Sequence, residues 1–350
     1  MSKVILYGVL NWGLGHATRS IPLIYKLLKD NHKLIVASDG DALALLKKEF
    51  GENVIFETLP SYNIEYTKKR FWFHLNLVKQ TPHILQNIKA ENKVVAALVE
   101  KYQPQQIISD HRYGVHHSKV HSIFLGHQLF LDFPQNKLIE KIANKLHRQK
   151  IDVFNEIQVP DLPPPNNISG KLSNYQHPNI HYIGTLSRMQ KMETVLKYDI
   201  CVVLSGPEPQ RTVLENILIK QLENTHYKVA FIRGLIEEER IVSSEYKNIE
   251  ILNYCHTKEL NKILMASKVI ICRSGYSSIM DLVKLKKQAI LIPTPELPEQ
   301  NYLAKRMFEL GWFYTVEQEN FDIDKAMKDY SKFKVGLLNA DDTDLAGNRE

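Results

Sequence analysis

Short apolar runs alternate along this chain with longer stretches whose apolar positions fall three or four residues apart, the periods of buried strands and one-sided helices. In the first half, Val4–Gly8 reads as a strand, Ala17–Lys29 as a helix, Lys33–Ala37 as a strand, Asp41–Phe50 as a helix and Val54–Thr58 as a strand. A long helical pattern covers about 74–101, and Gln106–Ser109 and Ser122–Leu125 are further strands. Pro160, Pro163-Pro164-Pro165 and Asn166-Asn167 break the pattern, as a connection between domains would. Beyond them it restarts with strands at Ile180–Ile183, Asp199–Leu204, Lys228–Arg233 and Ile249–Leu252, helices at 210–223 and 257–265, and closing strands at 269–272 and 289–292. Such alternation predicts an α/β protein of two doubly wound domains. The expected division is residues 1–160, a linker over 161–178, a second domain over 179–333 and a polar tail over 334–350. Ligands of such sheets bind beyond the strand carboxyl ends, so the expected site is a cleft between the domains.

Composition narrows the class. A chain of 350 residues, 44% hydrophobic and 24% charged, can bury two cores. No apolar run is long enough to span a bilayer, and Met1-Ser2-Lys3 leads straight into a strand, so no signal peptide is expected. Cys201, Cys255 and Cys272 have neither disulfide nor zinc spacing and read as reduced core thiols of a cytoplasmic protein. The +6 net charge favours anionic partners. Basic residues beside aromatics in Lys68-Lys69-Arg70-Phe71-Trp72-Phe73, and Lys137, Lys141, Lys145, Arg148 and Lys150 further on, suit either an anionic membrane surface at the inner face or a plain solvated face. Nucleic acid is not an expected partner.

The segment 269–312 carries the most specific chemistry. The strand Val269–Cys272 runs into Arg273-Ser274-Gly275-Tyr276-Ser277-Ser278 and then a helical pattern, which makes an anion site of helix N–H groups and dipole. Asp281 lies about one turn into that helix, where a carboxylate reaches a ribose diol, and Glu299 and Gln300 open the next helix, within reach of a sugar on the same phosphates. Arg273-Ser274-Gly275, the acid at 281, the strand ending Ile292-Pro293 and Gln300 together resemble the donor signature of glycosyltransferase family 28. That family includes the enzyme adding N-acetylglucosamine to the lipid-linked cell-wall precursor. It usually has Glu where Asp281 stands, a longer reach. More loosely, residues 3–320 resemble a GT-B glycosyltransferase with two Rossmann-like domains. The resemblance implies a nucleotide-sugar donor held by Glu299 and Gln300 among others, and no bound metal or other cofactor.

The first strand ends in a turn, Gly8-Val9-Leu10-Asn11-Trp12-Gly13-Leu14-Gly15-His16. A dinucleotide fingerprint would want glycine where Thr18 stands, but Asp39 after the second strand keeps that reading open. The Gly13-x-Gly15-His16 arrangement instead resembles the acceptor-side loop of GT-B enzymes. A histidine at a helix start is pushed toward its neutral, proton-accepting form, as a base for an acceptor hydroxyl must be. Asp110, at the end of a strand, could orient it, an arrangement that resembles the dyad of family 1 glycosyltransferases. Both residues could instead simply cap helices. His111, His116, His117, His121 and His127 crowd one region without completing a metal site, although His117 and His121 would share a helical face.

Val203-Leu204-Ser205-Gly206-Pro207 is a further strand-to-helix turn, where Ser205 and Gly206 could bond a diphosphate with Arg211 or Arg273 as charge partner. Alternatively it is a proline-started helix with an exposed arginine. The expected activity is transfer of a sugar from a nucleotide sugar, a UDP-sugar above others, to the hydroxyl of a glycan, lipid-linked or small-molecule acceptor. Inversion is expected, because the chain offers a base but no obvious glycosyl-accepting nucleophile. A nucleotide-sugar epimerase and a non-catalytic nucleotide-sugar-binding protein are the alternatives.

Overall fold

The computed structural model describes residues 2–62, 73–132, 136–165, 167–235, 242–243 and 246–333. Lys68, Lys69, Arg70 and Trp72, and the tail 334–350, lie outside them. The chain forms two compact units, one ending at Leu186 and the other beginning at Ser187.

In the first unit, β1 (Val4–Val9), β2 (Lys33–Ser38), β3 (Ile55–Thr58), β4 (Gln106–Asp110), β5 (His121–Leu125), β6 (Glu156–Val159) and β7 (Ile180–Tyr182) form one sheet in the order β3-β2-β1-β4-β5-β6-β7. All its pairings are parallel. Both faces are covered, which is why its strands read as unbroken apolar runs. Ile5, Tyr7, Val9, Leu34 and Val36 pack against Ile21 and Ile24 of α1 (Gly15–Lys29) and Leu46 of α2 (Gly40–Phe50). Leu6, Ile35 and Ile107 face the other way, onto Val95 and Leu98 of α3 (Phe73–Tyr102). The helix α4 (Lys137–Ile151) precedes β6.

The domain boundary falls later than the proline-rich stretch implied. Asp161, fully buried, accepts hydrogen bonds from the backbone of Ile168 and Ser169 at 2.9 and 2.8 Å, folding the supposed linker back onto its own unit. The strand at 180, expected to begin the second domain, pairs with β6.

The second unit repeats the design. Its strands are β8 (Tyr198–Val203), β9 (Val229–Ile232), β10 (Val242–Ser243), β11 (Ile249–Leu252), β12 (Ser267–Cys272), β13 (Ala289–Leu291) and β14 (Tyr314–Thr315), ordered β10-β11-β9-β8-β12-β13-β14. Only β10 runs antiparallel to its neighbour. Leu214, Leu218 and Leu222 of α5 (Gln210–Leu222) and Ile323 and Ala326 of α9 (Ile323–Lys332) cover one face through Ile200, Val202, Phe231 and Ile271. The helices α6 (Thr257–Met265), α7 (Tyr276–Leu285) and α8 (Pro298–Glu309) complete it. Since β8, β12 and β13 are neighbours, the turns leaving them emerge side by side.

Candidate active site

In the first unit, Val9 at the end of β1 lies in register with Asp110 at the end of β4. The chain leaves β1 through a turn in which Gly13 has φ +72°, a left-handed conformation that favours glycine. The helix α1 then starts at Gly15, which makes His16 its second residue. His16, Arg19 and Ser20 are spaced to share one helical face, and that face meets Asp110.

Asp110 is fully buried and saturated with partners. His16 Nδ1 lies 2.8 Å from Oδ1, Arg19 Nε donates to Oδ2 at 2.9 Å, and Ser20 Oγ donates to Oδ2 at 3.0 Å. Arg19 Nη2 also donates to Oδ1. The capping alternative for Asp110 is thereby replaced, since its oxygens serve side chains. Burial alone would raise its carboxyl, but Arg19 and His16 outweigh that and hold it well below the usual carboxylate range. Burial and then Arg19 hold His16 below the ordinary histidine value, against the upward pull of Asp110. The side chain of His16 is 16% exposed while that of Asp110 is 0%, so the imidazole alone of this pair touches solvent.

Arg19 is the residue that sequence reasoning passed over. Its guanidinium also contacts His127 Nδ1 at 2.8 Å and His111 Nδ1 at 3.1 Å. Donor atoms of His16, Asp110 and His111 lie within 4.8 Å of one another, a spacing a metal would tolerate. The guanidinium of Arg19 already provides a permanent cation among them. The other histidines are elsewhere. His116 packs on Phe154, His121 faces Glu156 at 3.4 Å, and the 117–121 stretch is a turn into β5, so the supposed helical pair does not exist.

Asp39 is taken too. Arg112 Nη1 donates to it at 2.5 Å and Asn11 Nδ2 at 3.2 Å, which removes the acid that a dinucleotide reading needed. Arg112 is fully buried and also pairs with buried Glu91.

In the second unit the donor motif forms as expected at the backbone level and differently at the side chains. Gly275 is the N-cap of α7, with Tyr276 and Ser277 in its first turn. Ser274 Oγ donates to the Gln300 carbonyl at 2.8 Å, and Gln300 Oε1 accepts from the Thr294 N–H at 2.8 Å. Gln300 therefore braces the loop after β13 with its oxygen and leaves its amide nitrogen for other work. Glu299 lies in the first turn of α8, half-buried. Asp281 accepts from Ser187 Oγ at 2.6 Å, and burial, opposed by Arg188 and Ser187, raises its carboxyl to about 6.

The two arginines depart from expectation. Arg273 is fully buried, and its guanidinium donates to the carbonyls of Pro293 at 3.2 Å and Gln210 at 2.7 Å and to Gln318 Oε1 at 2.7 Å. Instead of meeting a diphosphate it ties the loop after β13 to the start of α5. Arg211, also buried, is neither exposed nor available as a charge partner: it bonds Glu208 at 2.6 Å and pairs with Glu215. What remains at the Ser205–Gly206 turn is its backbone and the half-buried Ser205 side chain. Gly206 has φ +103°, and a side chain there would approach Thr294 Oγ1 at 3.8 Å. Thr294 Oγ1 is buried with no hydrogen-bond partner among the described residues, a deficit of about 1–3 kcal/mol that a ligand oxygen would relieve. No sequence signal marks Thr294 beyond its place in the proline-punctuated loop.

Comparison with known proteins agrees with this architecture. Residues 200–334 match the glycosyltransferase family 28 C-terminal domain, and residues 3–125 match glycosyl transferase family 1. No curated protein matches the chain. Among solved structures the chain is similar to CalG4, the calicheamicin glycosyltransferase, with TM-score 0.65 and 11% identity over 96% of this chain and 90% of that one. It is also similar to Acinetobacter baumannii MurG, with TM-score 0.57 and 11% identity over 95% and 91%. The spinosyn rhamnosyltransferase SpnG complexed with thymidine diphosphate gives TM-score 0.58 and 13% identity over 95% and 90%. The chain thus has the GT-B fold of glycosyltransferases. Its second unit resembles family 28 most specifically.

Proposed function

We propose that this protein transfers a sugar from a nucleotide sugar, of which a UDP-sugar is the first choice, to an acceptor hydroxyl with inversion. The observation that carries the reading is the His16–Asp110 pair: a neutral imidazole with its Nδ1 on a buried carboxylate presents Nε2 as a base. In one in-line displacement, Nε2 takes the acceptor proton while the hydroxyl oxygen attacks the anomeric carbon and the nucleoside diphosphate departs. The N-terminus of α7 and the backbone at Gly206 would receive the charge of the leaving diphosphate. Recognition of a nucleoside diphosphate is further supported by the thymidine diphosphate in the similar rhamnosyltransferase. No metal or other cofactor has a step in this scheme. Incubation with UDP-sugars and candidate acceptors tests it. Acceptor-dependent UDP release supports transfer, a new sugar epimer would make the protein an epimerase, and binding with neither would make it a sensor.

Within this reading Asp281 holds the ribose. Asp281→Ala should weaken UDP binding by about 1–3 kcal/mol, the range for an unsatisfied polar partner. Because its carboxyl ionises near 6, affinity in the parent should fall as pH drops through that value, and Asp281→Asn should lose the dependence. Calorimetric titration showing unchanged affinity for Asp281→Ala would remove the ribose assignment.

An anionic membrane surface is part of the same proposal. The inner face of α4 buries polar Asn144 and His147, whereas Leu138, Ile142 and Leu146 form an exposed apolar ridge at four-residue spacing. Lys137, Lys141 and Lys145 sit one position before each, so the ridge carries charge suited to acidic headgroups. A protein at the inner face of a membrane, acting on a lipid-linked acceptor, would use such a helix. No described helix is long and apolar enough to cross a membrane. Cosedimentation with acidic vesicles should fall with salt, with Lys141→Glu/Lys145→Glu and with Leu138→Ser/Ile142→Ser. Binding indifferent to all three would return α4 to a solvated face.

A further inference from the structure

We infer that Arg19 is a positioning residue whose guanidinium clamps Asp110 and thereby fixes His16 and His127 in opposite tautomers, a deepening that rests on the proposed transfer reaction. Arginine has five N–H donors and no acceptor. Nε and Nη2 engage the two oxygens of Asp110, as a planar fork engages a carboxylate. Nη1 points at His127 Nδ1, 2.8 Å away, which must therefore be the unprotonated nitrogen, leaving the His127 proton on Nε2. Nη2 also lies 3.1 Å from His111 Nδ1. His111 Nδ1 lies 3.2 Å from the Leu125 carbonyl as well, an oxygen that can only accept. His16 Nδ1 lies 2.8 Å from Asp110 Oδ1 and 2.9 Å from Arg19 Nη2. A bare nitrogen there would set its lone pair against a carboxylate oxygen. A proton on Nδ1, donated to Asp110 Oδ1, removes that clash. His16 then carries its lone pair on Nε2, the tautomer a base needs.

The groups that face His16 are Arg19 on its own helix, Asp110 at the end of β4, His111 just after it and His127 after β5. Of these Arg19 is the permanent cation, and it opposes protonation of His16. Its charge and its geometry thus act through the same imidazole. Lysine at 19 would keep the first and lose the second, because an ammonium cannot fork a carboxylate.

Nitrogen-15 NMR of the histidine rings in the full-length protein tests this without any substrate. The expected spectrum has His16 protonated on Nδ1 and His127 on Nε2. Arg19→Gln should raise the titration midpoint of His16, since Arg19 opposes its protonation, and scramble its tautomer. Arg19→Lys should scramble the tautomer while moving the midpoint less. Where transfer is measurable, kcat should fall in both variants, by less than the roughly 10²–10⁴-fold that removal of the base itself would cost. The acid limb of kcat/KM should move upward in Arg19→Gln alone, with donor KM unchanged. A wild-type His16 protonated on Nε2 overturns the inference even if neither variant folds. So does a folded Arg19→Gln protein with wild-type His16 tautomer and midpoint. A correct tautomer in a protein that releases no UDP keeps the clamp and rejects the transfer reading, so the two fail separately.

Discussion

His16→Ala should reduce turnover by about 10²–10⁴-fold, the contribution of a well-placed general base, with donor affinity almost unmoved. The separation is expected because His16 belongs to the first unit while the donor motif belongs to the second. Asp110→Asn should cost less than His16→Ala, and the double variant little beyond the single, since residues acting as one unit are not additive. In the parent, kcat/KM should fall on the acid side with a midpoint below the ordinary histidine value of 6.5. Burial and Arg19 both disfavour the imidazolium, so the neutral base survives to lower pH. Steady-state kinetics with donor and acceptor varied separately would check each part. A folded His16→Ala enzyme with near-normal turnover, or one that has lost the donor instead, would show that His16 only shapes its loop.

Arg112→Leu is expected to destabilise the first unit by about 3–5 kcal/mol, the cost of breaking a buried pair and leaving a charge uncompensated. Arg112 and Glu91 are both fully buried, and Asp39 is nearly so. Arg112 also donates to the carbonyls of Val9 at 3.2 Å and Pro60 at 2.5 Å, which holds the ends of β1 and β3 in place. Loss of the cation strands Glu91, which still accepts from Tyr62 Oη and the Gly114 N–H, each at 2.8 Å. Removing that charge as well, in Arg112→Leu/Glu91→Gln, should recover part of the loss. Urea unfolding with equal m-values in all variants would measure it. A loss below about 1 kcal/mol, the range of exposed pairs, would mean that water reaches the site.

Much of this was legible in the chain because two parallel sheets need apolar runs covered on both sides. The apolar runs read at Val4–Gly8 and Val269–Cys272 both fall inside strands, β1 (Val4–Val9) and β12 (Ser267–Cys272). Asp110 could be paired with His16 in advance through the resemblance to the family 1 dyad, one residue ending a strand and the other opening a helix. Arg19 could not. A basic residue in the first turns of a helix reads as surface, and its burial depends on a carboxylate 91 positions away. Arg273 misled for the opposite reason: an arginine before Ser-Gly looks like a phosphate ligand until Pro293, Gln210 and Gln318 claim its terminal nitrogens. The prolines at 163–165 looked like a boundary because local stiffness is visible in sequence, whereas the grip of Asp161 on Ile168 and Ser169 is not.

Under the proposed transfer reaction, the hold of Arg273 on Gln210, Pro293 and Gln318 bears on how donor preference can change. Elements more than a hundred positions apart in the chain are cross-braced by one side chain, so the turn at the head of α5 and the loop after β13 share an anchor. A chimera that imports the 200–300 region from a relative but keeps a different residue at 318 would leave a second buried nitrogen of the guanidinium, beside Nε, short of a partner. Its two imported loops would then sit apart by whatever the new neighbour dictates. Transplanted sugar selectivity should therefore travel with position 318, a residue that the donor signature itself does not contain.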